Sequence, residues 1–274
     1  MSLNGDLNRL INPLNALSNR QVKLYERRII KEYSAALKEV KAQYNLWLEK
    51  NYNTENTQQL MTKVEKIIND ASIKGIQYTT RAIKDNFKIN YNGVQGAFKK
   101  TLNTTEGFSV LSSDTVNAAV FNPYSKINWQ SKYVANSIKA TETVRSAITR
   151  GIITGKGYGE VAKEISHVLS ISASDAMRIV STETHTAINY ARTMAIQDSF
   201  AAAERLGFTP KKIWNTTGIN SRQDHLDLDG VPADETGIWF LGGVATEGPG
   251  LSGDPSQDIN CKCFITVELE ELNV

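Results

Sequence analysis

The sequence predicts an α+β protein: a mainly α-helical body of long helices with a small C-terminal antiparallel β unit. Three observations predict it. Apolar residues recur every three or four positions in the first half, as in Ile29, Tyr33, Leu37, Val40, Tyr44 and Trp47, which is one face of a helix. After Pro210 the pattern changes to short runs rich in aromatic and β-branched residues, divided by Gly, Asp and Pro, as in strands and turns. A chain of 274 residues with 41% hydrophobic and 22% charged residues has enough apolar surface for a core. That composition excludes disordered, collagen-like and disulfide-scaffold classes.

The first stripe predicts a helix over about residues 19–49. The polar segment Asn51 to Asn56 breaks it, and a second stripe follows at Leu60, Val64, Ile67, Ala71, Gly75, Tyr78 and Ala82. Two such helices joined by a short loop pack as an antiparallel hairpin. Residues 86–127 read as less regular, with Asn92-Gly93, Gly96 and Gly107 as punctuation and Asn122-Pro123 closing a short helix near 113–121. A helix over 128–150 ends at Gly151, and Gly155, Gly157 and Gly159 form a joint. This glycine run lacks the preceding strand and downstream acid of a dinucleotide fingerprint. A short helix follows over 159–169, and Ser172 to Asp175 reads as a capping box opening a long helix to about Leu206. Beyond it, Lys212 to Thr217, Gly237 to Phe240 and Cys261 to Leu269 suit strands, with Gly218 to Asp224 and Asp229-Gly230 as turns and 242–258 as a loop. The chain thus divides into 1–127, a helical N-terminal arm with a hairpin, and 128–274, with helices over 128–206 and a β unit over 211–270.

Charge is unevenly placed. Residues 1–100 carry 17 Lys+Arg against 9 Asp+Glu, whereas residues 211–274 carry 4 against 11. The basic end suits nucleic acid or an acidic protein surface, although no tight cluster stands out. No apolar run approaches the ~18 residues of a membrane span, and the first residues do not read as a signal peptide. Two cysteines, Cys261 and Cys263, fit a reducing compartment better than a disulfide.

Candidate chemistry lies in two places. On the long helix, Arg178, Thr182, His185, Asn189 and Arg192 share one face, with Glu183 one position off it. Such a row suits an anion or proton-transfer site, or a hydrogen-bonded seam against the β unit, and the seam is the favoured reading. The set Arg178, Ser181-Thr182 and Glu183 superficially resembles elements of ADP-ribosyltransferases, but those come from separate strands, and here all lie within two turns of one helix. In the tail, His225, Cys261 and Cys263 offer three zinc ligands, while four and a C-x-x-C spacing are usual. A hydrogen-bonded histidine beside two small packed thiols is favoured, so no cofactor is expected, with zinc as the alternative. No nucleophile–base–orienter set is legible.

Read in order, the tail carries a long helix with Ser181-Thr182-Glu183 and Asn189-Tyr-Ala-Arg192, and a strand with Trp214-Asn-Thr-Thr217. It goes on to Ser221-Arg222-x-x-His225-x-x-Leu228-Asp229-Gly230 and Asn260-Cys261-Lys262-Cys263. This ordered set resembles the phage head morphogenesis, or Mu protein F-like minor head protein, family over about 145–270. It departs from the family pattern in having Lys262 where many members have Arg, and Arg222 and His225 where some carry C-x-x-C. The resemblance implies a non-enzymatic minor capsid protein in the virion interior, assembled in the host cytoplasm and bound near the portal. It implies a role in head assembly, DNA packaging or DNA delivery. The partners so implied are the portal protein and a major capsid or scaffold protein, with phage DNA contacted through the basic N-terminal helices and no membrane. Arg178, Thr182, Glu183, Asn189, Trp214, His225, Asp229, Gly230, Cys261 and Cys263 become motif residues that hold the fold. Some relatives carry a toxin domain after this module, and five residues after the last strand leave no room for one. The rival reading is a metal-dependent hydrolase or nucleotide-using transferase centred on the C-terminal α+β unit.

Overall fold

Long helices account for most of the chain in the computed structural model, which describes residues 3–49, 54–125, 128–218 and 221–272. The elements run α1 (Leu3–Leu48), α2 (Thr54–Thr101), α3 (Ser113–Ala118) with a 3-10 turn Ala119–Phe121, α4 (Trp129–Thr154) and α5 (Tyr158–Glu204). Then come β1 (Phe208–Asn215), α6 (Gln223–Leu226), β2 (Trp239–Leu241), β3 (Val244–Thr246), α7 (Pro255–Asp258) and β4 (Phe264–Glu271). β1 pairs antiparallel with β4, from Phe208 opposite Glu271 to Asn215 opposite Phe264. β2 and β3 form a separate hairpin. The predicted class is the observed one. Part of the polar break after α1 (51–53) and the centre of the turn after Gly218 (219–220) lie outside the described residues.

The helices are longer than local signals suggest. α2 passes through Asn92-Gly93 and Gly96 because its buried stripe continues through Phe87, Tyr91, Val94, Phe98 and Leu102. Gly93 is instead a point of close approach: a Cβ there would stand 2.6 Å from Leu14 Cδ2. Gly151 does not end α4 but lies inside it, where a Cβ would meet Val161 Cγ2 at 2.4 Å. The helix stops at Gly155, whose φ of +64° provides the left-handed cap. The two helices expected over 159–206 are one. Ser172 opens nothing, because its hydroxyl donates back to Val168 O, and Ile165, Leu169, Ala176 and Val180 keep one buried stripe running past it.

The described chain sorts into two compact units that interleave along the sequence, 1–23, 80–126 and 181–274 forming one and 24–79 and 127–180 the other. The chain crosses between them at 23/24, 79/80, 126/127 and 180/181.

In the second unit, α1 and α2 do form an antiparallel hairpin. Lys74 pairs with Glu32 at 2.7 Å, and Lys63 donates to Gln43. Its apolar stripe is core. Val40, Tyr44, Trp47, Leu60, Val64 and Ile68 are buried in one cluster with Val144 and Ile148 of α4 and Val161, Ile165 and Leu169 of α5. Gly75 marks a tight contact. A Cβ there would lie 2.5 Å from Tyr133 Cε1, and the Tyr133 hydroxyl is held by Thr79 and by Ala176 O. We therefore expect Gly75→Ala to destabilise the protein by about 1–3 kcal/mol through overpacking, despite its gain in helix propensity. Gly96, exposed with nothing within 4 Å of its added Cβ, should respond the other way, Gly96→Ala stabilising by about 0.4–1 kcal/mol. Thermal or urea denaturation of the two variants reads the opposite signs directly.

Candidate functional site

The first unit holds the polar residues singled out in the sequence. α5 lies against the loop and strand that follow β3, and its polar face binds their backbone. Asn189 Nδ2 donates to Pro249 O and Cys263 O, each at 3.0 Å. Thr186 donates to Gly250 O, Thr182 accepts from Asn260 N, and Lys262 reaches back to Ser181. Arg192 is fully buried. Its Nε donates to Asn90 Oδ1 at 2.8 Å and its Nη1 to Ile265 O at 3.0 Å, while its guanidinium lies over the Phe264 ring. Burial lowers its pKa to about 9. Groups buried this deeply require partners; Asn90 and the C-terminal backbone provide most of them, while Arg192 Nη2 and Asn189 Oδ1 have none among the described residues. Arg178 does not join the row: it is exposed and pairs with Asp175 at 2.6 Å. Glu183, 3% exposed, faces another way and accepts from Asn122 Nδ2 at 2.6 Å. Asn122 itself adopts a left-handed conformation at the end of the 3-10 turn.

His185 completes the row. Burial first, then the charges of Lys262 and Arg192, lower its pKa to about 3. Because its folded pKa lies below the ordinary histidine value of 6.5, the imidazole is neutral in the fold, and protonation favours the unfolded chain. Its contribution is complete above pH ~6.5 and is lost as pH falls towards 3. We expect His185→Gln to flatten the decline of stability over that window, measured by urea denaturation at a series of pH values.

The β unit closes around two tryptophans. Trp214, fully buried, meets Trp239 and His225 edge-on, with ring centroids 5.5 and 5.7 Å away. Together with Leu241, Cys261 and Cys263 the tryptophans form the small core of this region. The Asp229-Gly230 turn is tied to β1. Gly230, with φ +76°, donates to Trp214 O, and Asp229 Oδ1 accepts from Thr216 N at 2.7 Å. Lys212 reaches Glu247 O at 2.6 Å across the Trp239 face, and burial lowers its pKa to about 8.

His225, Cys261 and Cys263 come together, all buried, their ligand atoms within 4.8 Å of one another. His225 Nδ1 is 3.3 Å from Cys263 Sγ and 3.7 Å from Cys261 Sγ. The cysteines precede β4 rather than lying in it, delivered by Asn260 at φ +60°. The hydrogen bond from Cys263, followed by the one to His225, lowers the pKa of Cys261 against the effect of burial. The same thiol–thiol contact and burial raise that of Cys263. Burial opposes the charging of His225, but Cys261 and then Gln257 outweigh it and raise its pKa. Three protein donors of nitrogen and sulfur are a possible metal set. Sequence reasoning did not single out Gln257, Asp224, Thr186 or Trp239. The alternation of Trp239 and Leu241 was a signal for the last, but nothing local pointed to Gln257.

Among the described residues no helix is long and apolar enough to cross a membrane. Residues 142–266 match the family model described as Phage Mu protein F like protein. The chain is 26% identical to minor head protein GP7 of Bacillus phage SPP1 over 263 residues, covering 88% of this chain and 80% of that protein. It is also 26% identical over 208 residues to the NAD(+)–arginine ADP-ribosyltransferase EFV of Enterococcus faecalis (strain ATCC 700802 / V583), covering 76% of this chain but only 39% of that protein. No solved structure gives a significant match.

Proposed function

We propose, from the match of residues 142–266 to the Phage Mu protein F-like family model, that the chain is a non-enzymatic minor head protein of a tailed phage, bound near the portal inside the head. The observation that carries this reading is the similarity to a phage minor head protein over 88% of the chain. The polar face of α5 supports it. Thr182, Thr186, Asn189 and Arg192 bind backbone partners within the fold, as a structural seam does. The set resembling transferase elements does not converge. Arg178 is exposed and paired with Asp175, and the Glu183 carboxylate is buried against Asn122.

In this role the portal and a capsid or scaffold protein are the partners. The exposed Arg27, Lys31 and Lys38 on α1 would face phage DNA or an acidic protein surface. Co-expression of the chain with the portal protein of the same phage, followed by affinity capture and size-exclusion chromatography, tests the reading. A stable joint peak is expected. Failure to associate with portal, capsid or scaffold protein, combined with normal head assembly when the chain is deleted, would remove it.

A further inference from the structure

We propose that His225, Cys261 and Cys263 bind one zinc ion, with a water in the fourth position. The inference rests on the geometry of the β unit and not on the head-protein reading. The three donors surround a single point, with ligand atoms within 4.8 Å of one another and every side chain buried.

The tautomer of the histidine follows from its outer partners. The Asp224 carboxylate only accepts, so the Gln257 amide turns its NH2 towards it, with Nε2 to Oδ2 at 2.6 Å. That directs Gln257 Oε1 at His225 Nε2, 3.0 Å away. An amide oxygen also only accepts, so His225 Nε2 carries the ring proton. Nδ1 is then the ring nitrogen that faces both sulfurs. A ligating histidine whose other N–H is held by a polar partner, itself held by a carboxylate, is the outer-shell arrangement that fixes metal ligands. Arg222 secures the same loop by donating to Gln257 O and Ile259 O at 3.2 and 2.7 Å. The indole N–H of Trp214 has no oxygen or nitrogen acceptor among the described residues.

Charge selects a divalent ion, and a sulfur-rich donor set with one imidazole suits zinc. A single ion would engage both sulfurs and Nδ1 at once. On binding, the histidine and the two cysteines together release two protons to solvent, and two thiolates neutralise the divalent ion. The buried site then carries no net charge, which avoids the large cost of an unpaired buried ion. Copper(I) in the same place would leave one negative charge in the β-unit core. Three protein ligands with an exchangeable fourth position is a known form of zinc site.

The test uses the full-length protein. Elemental analysis of protein purified without chelator, and of stripped protein reconstituted with zinc chloride, should give about one zinc per chain. Thermal denaturation should shift upward with zinc. Cys261→Ser and Cys263→Ser should lose both the zinc and the shift while circular dichroism shows unchanged helix content. Gln257→Leu, which leaves all three ligands, should bind zinc about 10–100-fold more weakly in competition with a chromophoric chelator. Should a serine variant fail to fold, cobalt(II) added to stripped wild-type protein decides, through thiolate-to-cobalt charge-transfer absorption. Less than about 0.1 zinc per reconstituted chain, serine variants that bind like wild type, no cobalt–thiolate band, or copper(I) held in preference to zinc would each overturn the proposal.

Discussion

Trp214→Ala is expected to lower the stability of the protein by about 3–5 kcal/mol, the range for deleting a large buried aromatic side chain. Trp214 is fully buried and joins the parts of the β unit that the chain supplies separately. Its ring meets Trp239 of β2 and His225 of α6, and it packs with Cys261 and Cys263 ahead of β4. Its backbone hydrogen bonds to Val231 and Gly230 survive the substitution, so the loss isolates the side chain. The neighbouring aromatic and sulfur groups cannot close a cavity of that size, because β1 is fixed in register to β4 along its whole length. Urea denaturation gives the number, with Trp214→Phe as a milder control. A change below about 1 kcal/mol would mean that the tryptophan pair is not the core of the β unit.

Trp47→Asp is expected to be more severe in the other unit. Trp47 is 4% exposed and stacks on Tyr44 within the cluster shared by α1, α2, α4 and α5. Aspartate removes that packing and places an unpaired carboxylate in an apolar setting, and the two effects together should exceed about 4 kcal/mol. Hydrogen exchange at amides of 24–79 and 127–180 reads the consequence directly. Wild-type protection there would show that the stripe is not core.

The long-range parts of the fold were legible where a single physical signal dominated. The stripe from Ile29 to Trp47 has an unbroken helical period, and it is buried as that period requires. Helix ends were misread wherever a local signal opposed a tertiary contact. Asn92-Gly93 reads as a turn, but Gly93 is small because Leu14 approaches it. Gly151 reads as a stop, but Val161 lies against it. Ser172 reads as a cap, but its hydroxyl is satisfied within the helix. The phase of α2 also shifted, with Ile68 and Thr79 buried more deeply than Ile67 and Tyr78, because polar Ser72 and Thr79 bond to Tyr133.

At the candidate site, periodicity placed Thr182, His185, Asn189 and Arg192 on one face. It also included Arg178, which continues the period yet is solvent-exposed. Spacing showed that the row exists, but the carbonyls it binds lie 60 to 74 residues away at Pro249 and Cys263, beyond any local pattern. The same distance in sequence hid Gln257, 32 residues from the histidine it holds.

The most direct test of the head-protein account is quantitative mass spectrometry of purified virions and of DNA-free heads from the phage that encodes the chain. The account predicts that the chain is present in both, at a small fraction of the major capsid protein, and that it resists protease until the heads are opened. Absence from both particles, with the chain recovered only as free protein from the lysate, would contradict it.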